Sequence, residues 1–270
     1  MYLKSVLRMG SLMLHFRNGL PLVQQMRAGQ PCDEAVLWDG TRITHPPGRG
    51  GLLETLQEIW VERIYTREFY RPAAGDMVVD AGANVGIFAI HIARQNSRGQ
   101  VLALEPFAEN FRYLQENVAR ARLDNVRCCQ IALGSGFGMG QMQAVGRRSL
   151  DHVLRLEYRS SNVRVCSSLL QESGEVSVVP LSGLFELAGA EEIAFLKVDI
   201  EGSERDVFAA AAPDVLRRIK RVAMEYHDGI MPGTLDVLRK ALAATHDTTV
   251  RPSRQEGCGI LLARRGDLKN

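Results

Sequence analysis

From Asp76 onward, short apolar runs alternate with stretches whose apolar residues recur at helical spacing. Met77-Val78-Val79 is an apolar run that ends in Asp80. After a turn at Ala81 to Asn84, the residues Val85, Phe88, Ala89 and Ile92 fall on one face of a helix. Val101 to Leu104 is a second run, ending in Glu105, and Phe107, Phe111, Leu114 and Val118 give a second helical face. Val126 to Leu133 reads as a third strand and Ile193 to Val198 as a fourth, ending in Asp199. Ser203 to Ala212 is a predicted helix, with Ser203 at its cap and Asp206 three residues on, the pattern of a capping box. Arg221 to Tyr226 is a fifth strand, Leu235, Leu238 and Leu242 mark a further helix, and Thr248 to Arg251 with Gly259 to Ala263 form a closing strand pair. Strands alternating with helices predict an α/β fold, a mostly parallel sheet covered on both faces. Ligands of such sheets bind beyond the carboxyl ends of the strands, where this chain places Asp80, Glu105, Asp199 and Glu225.

The pattern before this region is less regular. Ala35 to Trp38 and Thr41 to Thr44 flank Asp39-Gly40, a hairpin signal. A helix is expected over Leu52 to Tyr65, although its apolar set (Leu52, Leu56, Ile59, Ile64) drifts around the helix face. Met1 to Phe16 is expected to be a helix packed on the domain; its apolar run is broken by Gly10, Ser11 and His15 and is short for a signal-peptide core. The segment from Gly134 to Pro180 is long for one crossover and holds alternating stretches at Asn162 to Ser167 and Val176 to Val179, so an inserted hairpin or flap over the rim is expected.

Composition narrows the function classes. The 270 residues suffice for one large α/β domain with an appended segment. A formal charge of +2, with Lys and Arg spread along the chain, argues against a nucleic-acid partner. No window is long and apolar enough to span a membrane, so no membrane partner is expected. The five cysteines lack zinc-ligand spacing and include the adjacent Cys128 and Cys129, which points to reduced thiols in a cytoplasmic protein. The sequence leaves a monomer and a homo-oligomer both open.

The segment Val78 to Gly86 has the logic of a cofactor turn. A buried strand delivers Asp80; Gly82 allows a tight turn or a close approach; Asn84 sits inside the turn; Gly86 lets the first helical turn pack closely. The helix N-terminus offers N–H groups to an anion such as the carboxylate of S-adenosylmethionine (SAM), whose ammonium Asp80 could receive. The alternative is a dinucleotide site of an NAD(P)-dependent oxidoreductase, but that needs G-x-G-x-x-G, and Asn84 stands where its second glycine would be. Glu105, ahead of Pro106, is placed to accept both ribose hydroxyls or to serve the N-terminus of the following helix. Asp124, Asn125, Ala132 and Leu133 are placed to touch adenine. Glu62 or Tyr65 could reach the cofactor from the preceding helix, whose bland role is to cover the sheet edge.

Along a strand alternate side chains share a face, so Lys197 pairs with Asp199 and Glu225 with His227. His227 or Asp199 is the expected base, with Glu201 and Glu225 fixing the substrate or each other. Lys197 is expected to partner one of these acids, and Glu201 and Glu204 could equally be helix N-terminal charges. No metal site is assigned; Mg²⁺ on Asp199, Glu201 and Glu225 is not favoured.

These motifs carry a resemblance. Val78 to Gly86, Leu104-Glu105-Pro106, Phe195 to Glu204 and Met224-Glu225-Tyr226-His227 are similar to motifs of the FkbM family of class I SAM-dependent methyltransferases, over about Val61 to Ala263. The resemblance implies a Rossmann-like, seven-stranded, mostly parallel sheet with helices on both faces. It divides the chain into an N-terminal extension and cap over 1–70 and a SAM-dependent methyltransferase domain over 71–270, interrupted by the insert at 134–180. It further implies O-methylation of a hydroxylated small molecule such as a sugar, a polyketide or another secondary metabolite. A non-catalytic SAM-binding scaffold is the competing class.

Overall fold

The structure is a computed structural model, and it describes residues 10–144, 152–155, 174–253 and 257–268. The main sheet holds β3 (Met77–Ala81), β4 (Gln100–Leu104), β5 (Val126–Cys129), β10 (Phe195–Val198), β11 (Arg221–His227), β12 (His246–Pro252) and β13 (Cys258–Arg265). Its seven strands run in the order β12-β13-β11-β10-β3-β4-β5. β3, β4, β5, β10 and β11 are parallel, while β13 lies antiparallel to both β11 and β12. This is the mostly parallel α/β sheet that the strand–helix alternation predicts.

Alternation along each strand sends its side chains into two cores. Val78, Val101, Ala103, Phe195 and Leu262 pack on one face with α3 (Ile87–Gln95) and α4 (Ala108–Arg120). Val79, Leu102, Leu196, Val198 and Leu261 pack on the other with α5 (Gly183–Ala188), α6 (Glu204–Ala209), the short α7 (Pro213–Arg217) and α8 (Thr234–Leu242). The amino-terminal part completes the first core. Residues 10–15 are helical, Leu12 and Phe16 are buried, and α1 (Gly19–Ala28) follows. The hairpin β1 (Glu34–Val36) and β2 (Arg42–Thr44) pairs Ala35 with Ile43 around the expected Asp39-Gly40 turn. Burying each such Leu or Phe contributes about 1.5–3 kcal/mol, so this segment is part of the core.

Three expectations are corrected. The helix over 52–65 is α2 (Leu52–Leu56) running into a π-helical turn, Gln57–Glu62. The wider turn rotates the following residues and buries both Ile59 and Trp60, which explains the drift of the apolar positions. The third strand divides at Gln130: β5 stays in the main sheet, whereas β6 (Ile131–Leu133) leaves it. β6 pairs with β9 (Glu175–Val179), and with β7 (Gly138–Ala144) and β8 (His152–Arg155) they make a four-stranded sheet in the order β6-β9-β7-β8. The insert does hold an antiparallel β7–β8 pair, on segments that the alternation does not mark; of the marked stretches, Val176 to Val179 belongs to β9 and Asn162 to Ser167 lies outside the described residues. Finally, Ser203 makes no side-chain cap bond on α6; Glu204 occupies that role differently, as described below.

The four described cysteines are free thiols. Among the described residues, no helix is long and apolar enough to cross a membrane.

Candidate active site

The cofactor turn begins where β3 ends. Gly82 has φ +76°, and a Cβ there would lie 1.7 Å from the carbonyl oxygen of Asp199. Glycine is therefore required by the approach of the β10 end, a tighter constraint than the turn alone. Asn84 adopts a left-handed φ of +51° and its Oδ1 accepts a bond from the Val85 N–H at 2.7 Å. Gly86 has φ +90°, and a Cβ would meet Leu114 of α4 at 2.7 Å, so this glycine serves helix–helix packing. Glu105 closes the turn from β4: its Oε2 accepts the Asn84 N–H at 2.8 Å and its Oε1 the Phe107 N–H at 2.9 Å. Burial raises the Glu105 pKa to about 7, against the two N–H bonds that favour the carboxylate.

A cavity opens beside this turn. Gly82, Asn84, Glu105 and Pro106 line one side, Ile131, Ala132 and Leu133 of β6 another, and Asp199, Ile200, Glu201 and Ser203 a third. Asn110 of α4 and Met142 of β7 complete it. Of the residues singled out in the sequence, Gly82, Asn84, Glu105, Pro106, Ala132, Leu133, Asp199 and Glu201 thus share one space. Asn110, Ile131, Met142, Ile200 and Ser203 were not foreseen.

Behind the cavity lies a charged cluster. Lys197 is 3% exposed; its Nζ donates to the Gly82 carbonyl at 2.7 Å and lies 3.2 Å from Asp80 Oδ1 and 3.6 Å from Asp199 Oδ2. Desolvation pulls the lysine pKa down, but the facing carboxylates of Asp80 and Asp199 hold it above its ordinary value. Burial pushes the Asp80 carboxyl up against the pull of Lys197. Tyr65, buried, donates its hydroxyl toward Asp199 Oδ2 at 3.3 Å and lies 3.5 Å from Glu225 Oε2. Burial first, and then these two acids, push the phenol well above its ordinary pKa.

The turn after Asp199 carries a strained residue, Glu201, at φ +52°. It is held by Glu204, which is fully buried and accepts the N–H groups of Ile200 at 3.1 Å and Gly202 at 3.0 Å. The same carboxylate lies 3.1 Å from His227 Nδ1, and His227 Nε2 is 3.6 Å from Glu201 Oε2. Burial opposes charge on His227, but the hydrogen bond and charge of Glu204, with Asp199 and Glu201, raise its pKa to about 10. Burial and then the Asp199 charge raise Glu201 and Glu225 each to about 8.

Several placements correct the sequence reading. Asn125 precedes β5 and so stands with Asp124 at the amino ends of the strands, opposite the cavity. Its amide donates to the carbonyls of Ala93, Asn96 and Gly99, a structural role. Asp80 is fully buried behind the turn, held by Lys197, and does not reach the cavity. Gly86 packs on α4, and Tyr65 braces the acids; neither lines the cavity. Glu62 ends the π-helical turn, half-buried, and is not a cavity residue either. His227 and Glu225 sit in the cluster one layer back from the cavity wall. Glu204 was legible only as a helix N-terminal acid; a second acid following Asp199-Ile200-Glu201-Gly202 was the available signal.

Comparison with known proteins agrees with this arrangement. The profile of the methyltransferase FkbM domain matches residues 80–243. The chain is 31% identical over 191 residues to the 31-O-demethyl-FK506 methyltransferase FkbM of Streptomyces tacrolimicus, covering 64% of this chain and 73% of that protein. It is 27% identical over 182 residues to Methyltransferase 1 of Beauveria bassiana, covering 64% and 72%. Among solved structures, a putative rRNA methylase from Clostridium thermocellum superposes with a TM-score of 0.47 at 9% identity, covering 79% of this chain and 94% of that one. The motif-bearing turns and the profile match over residues 80–243, more than half of the chain, lead to one assignment: the chain belongs to the FkbM methyltransferase family.

Proposed function

We propose that the protein transfers a methyl group from SAM to a hydroxyl oxygen of a small-molecule acceptor. The observation that carries this reading is that one cavity is lined both by Glu105 with the turn at Gly82–Asn84 and by Asp199. The first set suits a nucleoside and the second suits an acceptor that must lose a proton. The side chains present fit the cofactor: a carboxylate anchored by two backbone N–H groups accepts the ribose hydroxyls, and Pro106, Ile131, Ala132 and Leu133 offer an apolar bed for adenine. Bound SAM supplies an electrophilic methyl on a sulfonium. The protein's part is to align the acceptor oxygen, exclude water and take the hydroxyl proton. Asp199 takes that proton, because it faces the cavity, whereas His227 sits one layer back from the cavity wall. Within the extension at 1–70, the described part from residue 10 acts as a cap on the domain at 71–270, with Tyr65 as its contact with the acids, and the described part of the insert at 134–180 frames the acceptor side through Met142. The relative from Streptomyces tacrolimicus is named for 31-O-demethyl-FK506, which supports a secondary-metabolite acceptor here.

The first test is calorimetric titration with SAM and with NADH, followed by transfer of labelled methyl from SAM to a panel of polyols, sugars and polyketides. Binding of SAM alone and label on an oxygen are expected; absence of SAM binding sinks the reading. A second expectation concerns pH. Glu105 must be ionised to accept ribose hydroxyls, and its pKa is raised to about 7. SAM affinity therefore rises as pH climbs through about 7 and falls by up to roughly tenfold per unit below it. The ligand-free fold carries the opposite sign, losing stability as pH rises from the ordinary carboxyl value toward 7. Glu105→Gln should flatten the affinity profile; a flat profile in the unaltered protein would remove Glu105 from the ribose site.

A further inference from the structure

We infer that Asp199, Glu201 and His227 form a site for one divalent first-row cation, of the Mn²⁺ or Zn²⁺ kind, at the edge of the cavity. One donor atom from each side chain lies within 4.8 Å of the others. Bonds of about 2.0–2.2 Å to a shared ion place neighbouring ligands roughly 3.0–3.6 Å apart; Glu201 Oε2 and His227 Nε2 already stand 3.6 Å apart, so the Asp199 carboxylate is the donor that must close in.

The imidazole is the independent sign. His227 is 6% exposed, and its Nδ1 is fixed by the wholly buried Glu204, which is itself pinned by two backbone N–H groups. Nε2 is thereby aimed at the two carboxylates, 3.6 Å from Glu201 Oε2 and without a hydrogen bond among the described residues. A ligating histidine characteristically gives its second nitrogen to a buried carboxylate in this way, which orients the ring and raises its basicity. The positive charge nearby is only partly shared with the site: Lys197 Nζ lies 3.6 Å from Asp199 Oδ2, but its shorter contacts are to the Gly82 carbonyl at 2.7 Å and Asp80 at 3.2 Å. Two carboxylates and a histidine nitrogen therefore converge at a point that a cation would neutralise.

The donor set selects the ion. Mg²⁺ and Ca²⁺ prefer oxygen ligands throughout, whereas an imidazole with carboxylates suits first-row transition ions and Zn²⁺. Asp199 and Glu201 line the cavity, so the remaining coordination positions face it. There an acceptor hydroxyl can bind and lose its proton more readily. That last step rests on the proposed methyl transfer; binding of the ion does not.

The test titrates Mn²⁺ into the chelator-stripped, full-length chain without SAM, read by calorimetry and by loss of the free-ion electron paramagnetic signal. One equivalent per chain is expected. Glu201→Gln and His227→Ala should each weaken binding by more than about 100-fold, and Glu204→Gln by about 10- to 100-fold. Circular dichroism checks folding; should His227→Ala fail to fold, Glu201→Gln and His227→Gln carry the comparison. Absence of binding to the intact chain, or binding unchanged in the folded ligand variants, overturns the site. Displacement of Mn²⁺ by equimolar Mg²⁺ overturns the choice of ion. Methyl transfer without Mn²⁺ binding would remove the metal and keep the reaction; Mn²⁺ binding without any methyl transfer would do the reverse.

Discussion

Asp199→Asn is expected to lower methyl transfer by about 100- to 10,000-fold, the usual contribution of a positioned general base, while SAM affinity stays within a few-fold. The exchange is nearly isosteric. An asparagine oxygen can still accept from the Tyr65 hydroxyl, which stands 3.3 Å from Oδ2, so the cap contact survives while the charge and proton capacity are lost. The loss should fall on kcat rather than KM, because the carboxylate acts when the acceptor proton departs. Glu225→Gln gives the contrast. Glu225 also meets Tyr65 but does not line the cavity, so its replacement should cost much less. Single-turnover rates at saturating SAM, with calorimetric SAM affinities for each variant, separate the outcomes. Full activity in Asp199→Asn would dismiss it as the base.

The difference between Asp199 and its neighbours shows what a sequence can carry. The acids at the strand ends were legible because an apolar run ending in Asp or Glu marks a carboxyl rim whatever surrounds it. Their depth was not. Asp80 and Glu105 end adjacent parallel strands, paired Val79 to Leu102 and Ala81 to Leu104; yet Glu105 lines the cavity and Asp80 lies behind it. The register separates them: Asp80 is level with Ala103, inside the sheet and against Lys197, whereas Glu105 stands two residues further, past the end of β4, where backbone N–H groups hold it. The break at Gln130 was equally hidden, since Val126 to Leu133 stays largely apolar while β6 changes its partner from the main sheet to β9. The placement of Asn125 was legible in the sequence: it directly precedes the strand that starts at Val126, and the amino ends of the strands lie opposite the ligand rim. The π-helical turn left a trace, the drifting apolar positions after Leu56, but a drift fits several causes. Glu204 was the most consequential omission: a carboxylate at a helix start looks the same in sequence whether it faces solvent or turns back to hold Ile200, Gly202 and His227.

Lys197→Met should be the most destabilising single change at this site, by about 3–5 kcal/mol at neutral pH, because it strips the compensating charge from a buried carboxylate. The side chain is 3% exposed and Asp80 is 0% exposed, so water cannot take over the interaction. Methionine matches the lysine stem in volume, which confines the effect to charge and hydrogen bonding. Two bonds of consequence disappear: the 2.7 Å donation to the Gly82 carbonyl, which pins the cofactor turn, and the 3.2 Å ion pair with Asp80. Urea unfolding of the variant should recover part of the loss when Asp80→Asn is added, since two neutral groups no longer leave a buried charge alone. The pH dependence has a definite sign. Burial already raises the Asp80 pKa, and without Lys197 the carboxyl rises further above its unfolded value. The variant therefore loses stability as pH climbs through that window and approaches the unaltered protein in acid. A Lys197→Met protein equally destabilised at pH 5 and pH 8 would show that packing and the Gly82 bond, rather than the Asp80 charge, account for the lysine's contribution.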